Sequence, residues 1–484
     1  MMTEVKIILV ICLTSFTLLS SMVAFAQEVK ETWSLDECVA VALQNNIELE
    51  QSKLSSETLL INVKEQQAQR LPSLNGGASL GSSWGRSIDP YSNEYVNQNI
   101  QTSNFSLNAG VTLFNGLRIS NTIEQSKLQY KAGKLDLESL QQNITLNTVT
   151  AYMQVLLAYE QEALARFNRI ATEEQLQKTR RRFEAGAIAK TDVYQLEAQL
   201  ADDAAAVVVA ENALRMAKIN LAQIMNIGFE RYMEVEKPAV VDVPLNTYSD
   251  LSPATLYEAA SKTQVQLQSA KIGKEVAELE TQIASSKYYP SLSLNGNLLS
   301  GYSSARKLSY LQLADQTTVI GYVQGNINQA VVAASNYRTV YGDYAFRDQL
   351  QDNLSQAVSL SLSVPIYNNR KAKSSVQRAS IGVRSAELNE AKAKNELRQK
   401  VEQLYADWSA AATNLQARKD QLYYRQEAFS NIEKQYNLGL ANSLDLLTAK
   451  TSLQQAQAAL LQARYQYLFN TKLIDFYTGR AIQL

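Results

Sequence analysis

The sequence predicts a mainly helical chain with a small β part, built twice over from one plan. Three observations carry this. Proline is nearly excluded from helix interiors. All seven prolines, at 72, 90, 238, 244, 253, 290 and 365, leave two long stretches free, 91–237 and everything after 365. Those stretches are rich in Ala, Leu, Gln, Glu, Lys and Arg, which favour helix. Segments also recur in order: Leu71-Pro72-Ser73-Leu74 is answered by Tyr289-Pro290-Ser291-Leu292, 218 residues on.

Residues 1–26 read as an export signal, with Lys6, an apolar run from Ile7 to Val23 and an Ala24-Phe25-Ala26 site before Gln27. The first repeat, 27–232, holds a helix over about 36–70, strands over about 73–85 and 103–114, a long helix over about 117–184 and a returning helix over about 191–226. A linker, 233–250, follows with Pro238 and Pro244. The second repeat, 251–484, holds a helix over about 254–287, strands over about 291–300 and 356–366, a long helix over about 370–437 and a returning helix over about 443–477.

The long helices carry a strict seven-residue apolar repeat. It runs Ile123, Tyr130, Leu137, Ile144, Ala151, Ala158 in the first copy and Val401, Trp408, Leu415, Leu422, Phe429, Tyr436 in the second. Such a repeat imposes a left-handed supercoil on packed helices. Gly186 and Gly439 stand where each long helix ends, and a short link to the next helix makes an antiparallel hairpin. In the strands, Phe105, Leu107, Ala109, Val111 and Leu113 alternate with Ser106, Asn108, Gly110 and Thr112. Val358, Leu360, Leu362 and Val364 alternate with Ser359, Ser361 and Ser363. Period two marks a half-buried strand. A soluble sandwich would alternate in the same way, but the small uncharged polar set favours a barrel lumen. Four strands cannot close a barrel in lipid, so a membrane barrel would be shared between chains. Two chains would supply eight strands and three would supply twelve, and counting does not choose.

The 484 residues include no histidine, and 46 basic residues balance 47 acidic ones for a net charge of −1. The commonest catalytic base and the zinc motifs are therefore missing, and there is no basic footprint for nucleic acid. No CxxC, G-x-S-x-G or P-loop appears, so no enzyme, cofactor or metal site is expected. Cys12 leaves with the signal, and Cys38 reads as a lone buried thiol. No run of 18 apolar residues follows residue 26, so no transmembrane helix is expected.

These features resemble the TolC-like outer-membrane efflux and export family over nearly the whole mature chain. The likeness rests on Trp33-Ser34-Leu35-Asp36-Glu37, Leu71-Pro72-Ser73-Leu74 and Val111-Thr112-Leu113-Phe114-Asn115-Gly116. It rests also on the duplicated Phe183-x-x-Gly186-x5-Asp192 and Tyr436-x-x-Gly439-x5-Asp445. The resemblance implies a homotrimer with one twelve-stranded transmembrane β-barrel in the outer membrane and a periplasmic α-barrel tunnel. It implies an equatorial belt around the linker. It also implies a passive duct for efflux or type I secretion, working with an inner-membrane pump and a periplasmic adaptor. The competing expectation is a periplasmic coiled-coil structural or adaptor protein.

The resemblance makes the hairpin tips, Gly186-Ala187-Ile188 and Gly439-Leu440-Ala441, the adaptor-contacting candidates. The same glycines also suffice for plain helix closure. Asp192 and Asp445 are candidates for the periplasmic aperture, where a ring of carboxylates would attract cations. Capping of the returning helix, about 0.3–1 kcal/mol, is the first reading for Asp192 and an equal one for Asp445. The family's second carboxylate, three residues on, is here Thr448, which puts a double acidic ring in doubt. Arg180-Arg181-Arg182 reads as a solvated face, or else as a salt-bridge lock between hairpins or a contact to adaptor acids. The tyrosine-rich insertion within 293–357, holding Tyr302, Tyr310, Tyr322, Tyr337, Tyr341 and Tyr344, reads over about 301–355 as a long outward loop, a lid over the barrel mouth.

Light scattering on detergent-extracted protein should return the mass of three mature chains from the outer-membrane fraction. A monomer released without detergent would break the shared-barrel argument.

Overall fold

The computed structural model describes residues 32–88, 93–97, 99–228, 234–237, 248, 251–313, 319–332 and 337–480. The expected signal 1–26, most of the linker 233–250, and Pro90, Pro238 and Pro244 lie outside the described residues. Strand β1 (Thr32–Trp33) leads into helices α1 (Leu35–Asn45) and α2 (Ile47–Ala68). Strands β2 (Ser73–Ser83), β3 (Arg86–Ile88), β4 (Tyr95–Asn97) and β5 (Ile100–Phe114) precede the long helix α3 (Arg118–Glu184) and the returning helix α4 (Lys190–Ile224). After β6 (Glu234–Val235) come α5 (Pro253–Thr263), α6 (Val265–Ser285) and β7 (Ser291–Ser303). The insertion holds β8 (Lys307–Leu313), β9 (Val319–Val323), β10 (Asn326–Val332), β11 (Tyr337–Asp343) and α7 (Phe346–Asp352). Then β12 (Ser355–Ser363), the long helix α8 (Lys371–Asn437) and the returning helix α9 (Ser443–Tyr477) complete the chain.

Two expectations need correction. The single helices expected over 36–70 and 254–287 are each broken once, at Asn46 (ψ 119°) and Gln264 (ψ 112°), 218 residues apart. Asn46 ends α1 and starts α2: its N–H donates to the Ala42 carbonyl, and its Oδ1 accepts from the Leu49 N–H at 2.9 Å. Each first piece opens on a reciprocal capping box, Ser34 with Glu37 and Ser252 with Thr255. The second correction concerns the insertion, which is not a bare loop. Strands β8 and β11 form a seven-pair antiparallel ladder, and β9 pairs with β10.

The sheet is antiparallel in the order β12-β7-β5-β2. Leu107 pairs with Leu298, Val111 with Leu294, and Leu294 in turn with Leu360. Alternation puts these residues on one face with Leu74, Leu80 and Leu362. The opposite face carries Asn75, Ser79, Asn104, Ser106, Asn108, Asn295, Asn297, Ser359 and Ser361, none of them charged. A bulge at Leu113 brings Phe114 opposite Leu292, on the apolar face. Leu80 and Val358, on the two edge strands, are 86% and 80% exposed. Phe105 and Phe114 lie nine residues apart on β5, about 30 Å along the strand and a little over 20 Å across a membrane at a typical tilt. That matches the apolar band of an outer-membrane barrel, which runs between two aromatic girdles. Tyr302 lies toward the Phe105 end, and Tyr289 and Tyr367 toward the Phe114 end.

Each long helix is entered through two successive left-handed residues, Gly116-Leu117 (φ 66° and 66°) and Asn369-Arg370 (φ 50° and 62°), 253 residues apart. Asn115 and Asn368 then turn their Oδ1 atoms to the helix N–H groups of Ile119 and Ala372, at 3.3 and 3.4 Å. At Gly116 a side chain is excluded twice over. The backbone is left-handed, and a Cβ would stand 2.8 Å from Tyr289 Cβ and 2.9 Å from the Ser286 carbonyl.

The chain forms two compact units that cut across the repeats. Among the described residues, one gathers those up to Glu57 with those of Lys131–Lys271 and Leu388–Leu484; the other gathers those of Thr58–Tyr130 and Ile272–Glu387. The first unit holds two large cores and a small cluster of Leu176, Val193 and Leu196. In one, Leu35, Cys38 and Ala42 of α1 pack with Ile144, Val155 and Leu156 of α3 and Leu221 of α4. In the other, Leu256 and Ala260 of α5 pack with Val401, Trp408 and Leu415 of α8 and Ile474 of α9. The seven-residue stripes reach both, through Ile144 and Ala151 in the first and Val401, Trp408 and Leu415 in the second. Strand β6 pairs parallel with β1 and is held to α3 by two tyrosines one heptad apart. Tyr152 Oη donates to the Glu236 carbonyl at 2.7 Å, and Tyr159 Oη donates to the Glu234 carboxylate. Lys218 and Lys237 place their Nζ atoms 4.7 and 4.6 Å from the Tyr159 ring centre.

Burial alone would raise the Glu234 carboxyl, but hydrogen bonds from Tyr159 and Lys218 outweigh it and hold it below the usual carboxylate range. An acid depressed by folding stabilises the fold above its unfolded pKa, about 4.3, and loses that contribution as pH falls through its folded value. Tyr159→Phe should therefore cost about 1 kcal/mol at neutral pH. The melting-temperature gap to wild type should close as the pH drops below the carboxylate range. A gap independent of pH would show that the Glu234 charge has no part in it.

Candidate functional site: the paired hairpin tips

Both hairpins close by the same local chemistry. At the first tip Gly186 (φ 75°) donates its N–H to the Phe183 carbonyl at 2.8 Å, and Ala187 donates to the Arg182 carbonyl at 2.9 Å. At the second, Gly439 (φ 78°) donates to the Tyr436 carbonyl at 3.1 Å, and Leu440 to the Gln435 carbonyl at 2.8 Å. These are paired Schellman closures. No atom lies within 4 Å of a Cβ built on either glycine, so only the backbone angle calls for glycine. Ala187 is exposed, and Ile188 and Ala441 are half-buried. Leu438, Leu440 and Leu444 stand well out into solvent.

The two aspartates, equivalent by repeat, do different work. Asp445 is the capping residue: Asn442 Oδ1 accepts from the Asp445 N–H at 2.9 Å, and Asp445 Oδ2 accepts from the Asn442 N–H at 3.4 Å. Its carboxylate remains exposed, and so does Thr448 one turn on. Asp192 makes no side-chain cap, because Ala189 fills the N-cap position of α4. Its carboxylate instead accepts from the hydroxyl of Ser443, the first residue of α9, beside Gln195. Its charge in the first turn of α4 still favours the positive end of the helix dipole, but its partner is the other hairpin.

The arginine run is divided too. Arg180 pairs with Glu197 of its own hairpin at 2.6 Å. Arg181 donates to the Gln177 carbonyl one turn back, at 3.4 Å. Arg182 crosses to the second hairpin, where Nη1 donates to the Tyr436 carbonyl at 3.3 Å and the guanidinium lies 5.0 Å from the centre of the Tyr436 ring. The link is a carbonyl and a ring, not the salt bridge expected as the alternative.

Sequence reasoning missed a buried polar knot further along the same helices. Lys450 of α9 donates to the Thr172 hydroxyl of α3, which donates to the Asp203 carboxylate of α4. Gln199 Nε2 donates to the other Asp203 oxygen at 2.8 Å. Burial lowers the Lys450 pKa, and Asp203 opposes the shift. The available signal was the Asp202-Asp203 pair heading an Ala- and Val-rich run, where a carboxylate turned inward needs a partner. Among the described residues no acidic or cysteine cluster could hold a metal, and no helix is long and apolar enough to cross a membrane.

Comparison with known proteins agrees with this geometry. The profile of the outer membrane efflux protein family matches residues 39–226 and 256–480. The chain is 25% identical over 432 residues to outer membrane protein TolC of Escherichia coli, covering 88% of this chain and 78% of that one. Its fold superposes on the outer membrane protein VceC of Vibrio cholerae with a TM-score of 0.73 at 16% identity, covering 93% of this chain and 97% of that one. It superposes on the open MtrE outer membrane channel of Neisseria gonorrhoeae with a TM-score of 0.68 at 18% identity, covering 93% and 91%. The chain belongs to the outer membrane efflux protein family, and it is an outer-membrane channel of an efflux or type I secretion system.

Proposed function

We propose that this chain is a passive exit duct with no catalytic chemistry of its own. Three copies share one barrel, and the hairpin tips meet a periplasmic adaptor that connects them to an inner-membrane pump. The carrying observation is the four-stranded sheet, with edge strands β2 and β12, one apolar face and one uncharged polar face. Three such sheets joined edge to edge give twelve strands around a lumen of hydroxyls and amides. In this reading the two repeats, 27–232 and 251–484, each supply two strands and one hairpin.

Adaptor contact at Gly186-Ala187-Ile188 and Gly439-Leu440-Ala441 is supported by the exposure of Leu438, Leu440 and Leu444 beside them, an apolar patch that costs free energy in water. Asp445 is the favoured aperture residue, because its cap uses backbone N–H groups and leaves its charge exposed. Asp192, tied to Ser443, contributes less. Thr448 adds no charge, so the acidic ring is single.

Asp445→Ala would remove cap and charge together. Asp445→Asn keeps an acceptor for the Asn442 N–H and removes the charge. In a planar bilayer the wild-type channel should conduct with a preference for cations, and Asp445→Asn should lower that preference several-fold without loss of the trimer. An unchanged preference would sink the aperture assignment. A trimer that never conducts would sink the duct.

A further inference from the structure

The insertion is rooted on the apolar face of the sheet. Phe346 of α7 packs edge-on against Phe105 at 6.4 Å and against Tyr302 at 5.2 Å between ring centres. Ser300 Oγ donates to the Leu350 carbonyl of the same helix at 2.6 Å. Phe105 and Ser300 are a cross-strand pair, and Tyr302 follows Ser300 by two, so all three share the apolar face with Leu107 and Leu298. A lid over the lumen would instead be seated on the opposite face, with Asn104 and Ser106.

The root is rigid. Gln349, 1% exposed, accepts from the Ser303 N–H at 3.1 Å and donates to the Tyr344 carbonyl at 2.9 Å. Asn353 donates to the Gly301 carbonyl at 2.6 Å and accepts from Arg306. From this base the β8–β11 ribbon extends. Its register, Leu313 with Tyr337 and Ser309 with Tyr341, puts Leu311, Leu313, Tyr337 and Tyr341 on one face. These four are 54–68% exposed, against 46% and 50% for Leu308 and Tyr310 on the other face. A two-stranded ribbon of this kind is marginal in water and gains stability when its apolar face is covered. Its base lies level with the Phe105–Tyr302 girdle, and tyrosine is the residue suited to the boundary between headgroups and acyl chains.

We propose that the β8–β11 ribbon is a lipid-binding element. It lies on the outer-leaflet surface with Leu311, Leu313, Tyr337 and Tyr341 in the headgroup–acyl boundary, and it does not close the barrel mouth. The partner is fixed by continuity, since the ribbon leaves the sheet from the face that already meets lipid. The inference rests on the membrane-barrel reading of that sheet.

The test uses the full trimer in phosphatidylcholine vesicles doped with nitroxide-labelled phosphatidylcholine. An environment-sensitive thiol dye is placed in turn at Tyr341→Cys, Leu311→Cys, Leu360→Cys on the apolar face and Ser359→Cys on the polar face. Cys38 is fully buried and Cys12 falls in the expected signal. The ribbon dyes should follow Leu360→Cys, quenched several-fold more by the lipid nitroxide than Ser359→Cys and shielded from aqueous iodide. If Leu360→Cys is lipid-quenched while both ribbon sites behave like Ser359→Cys, the ribbon proposal falls and the barrel stands. If Leu360→Cys is not lipid-quenched, the sheet assignment falls and takes the ribbon with it. Two ribbon sites guard against a local defect at either one.

Discussion

A β-sheet edge in hydrocarbon leaves a row of N–H and C=O groups with no partner, at several kcal/mol each. Everything particular to this chain follows from having only four strands in its main sheet. One chain cannot cure its own edges, so copies must. The strands must then be uniform enough to pair with copies of themselves, which the Ser, Asn, Thr and Gly face allows. A charged residue on that face would be brought close to its own copies around a narrow axis, and none is present.

Duplication meets the same constraint at low cost in sequence. One plan supplies a strand pair, a long helix, a tip and a return, and using it twice doubles the strands. The joints are copied with the elements. The helix breaks at Asn46 and Gln264, the capping boxes at Ser34 and Ser252, and the left-handed pairs at 116–117 and 369–370 stand at the repeat offsets. Copies need not stay chemically equal. Gly116 is pressed against Tyr289 and Ser286 and must be glycine, whereas Asn369 fills the matching left-handed position with a side chain that tolerates it.

What was legible in the sequence is what short-range chemistry specifies. Proline exclusion and the heptads delimited the long helices to within a residue or so of Arg118–Glu184 and Lys371–Asn437, and the tip glycines marked the turns. The break at Gln264 was hidden because glutamine is a good helix former; Asn46 carried a legible cap signal, and it acts through one hydrogen bond from Leu49. The β8–β11 ribbon was hidden because its apolar residues fall on both faces, Leu308 and Tyr310 on one and Leu311 and Leu313 on the other, which blurs a period of two. The tip contacts were hidden for a different reason. Arg182 and Tyr436 are 254 residues apart, and Tyr436 looked like one more core position of the heptad.

The tips show how a symmetric sequence can yield an asymmetric site. Asp192 and Asp445 occupy one position of the repeat, and what separates them is the residue three places earlier. Asn442 offers an amide oxygen to the Asp445 N–H and draws that carboxylate into a local box. Ala189 offers nothing, so Asp192 is free to reach the Ser443 hydroxyl. The charge that stays exposed is the one whose cap is satisfied by backbone. The charge whose own helix lacks a cap is spent holding the hairpins together, alongside Arg182 on Tyr436. A change at Ala189 would therefore reassign Asp192, and one at Asn442 would reassign Asp445, without touching either aspartate. The division between a structural carboxylate and an exposed one is set by caps, and the duplicated Asp alone does not reveal it.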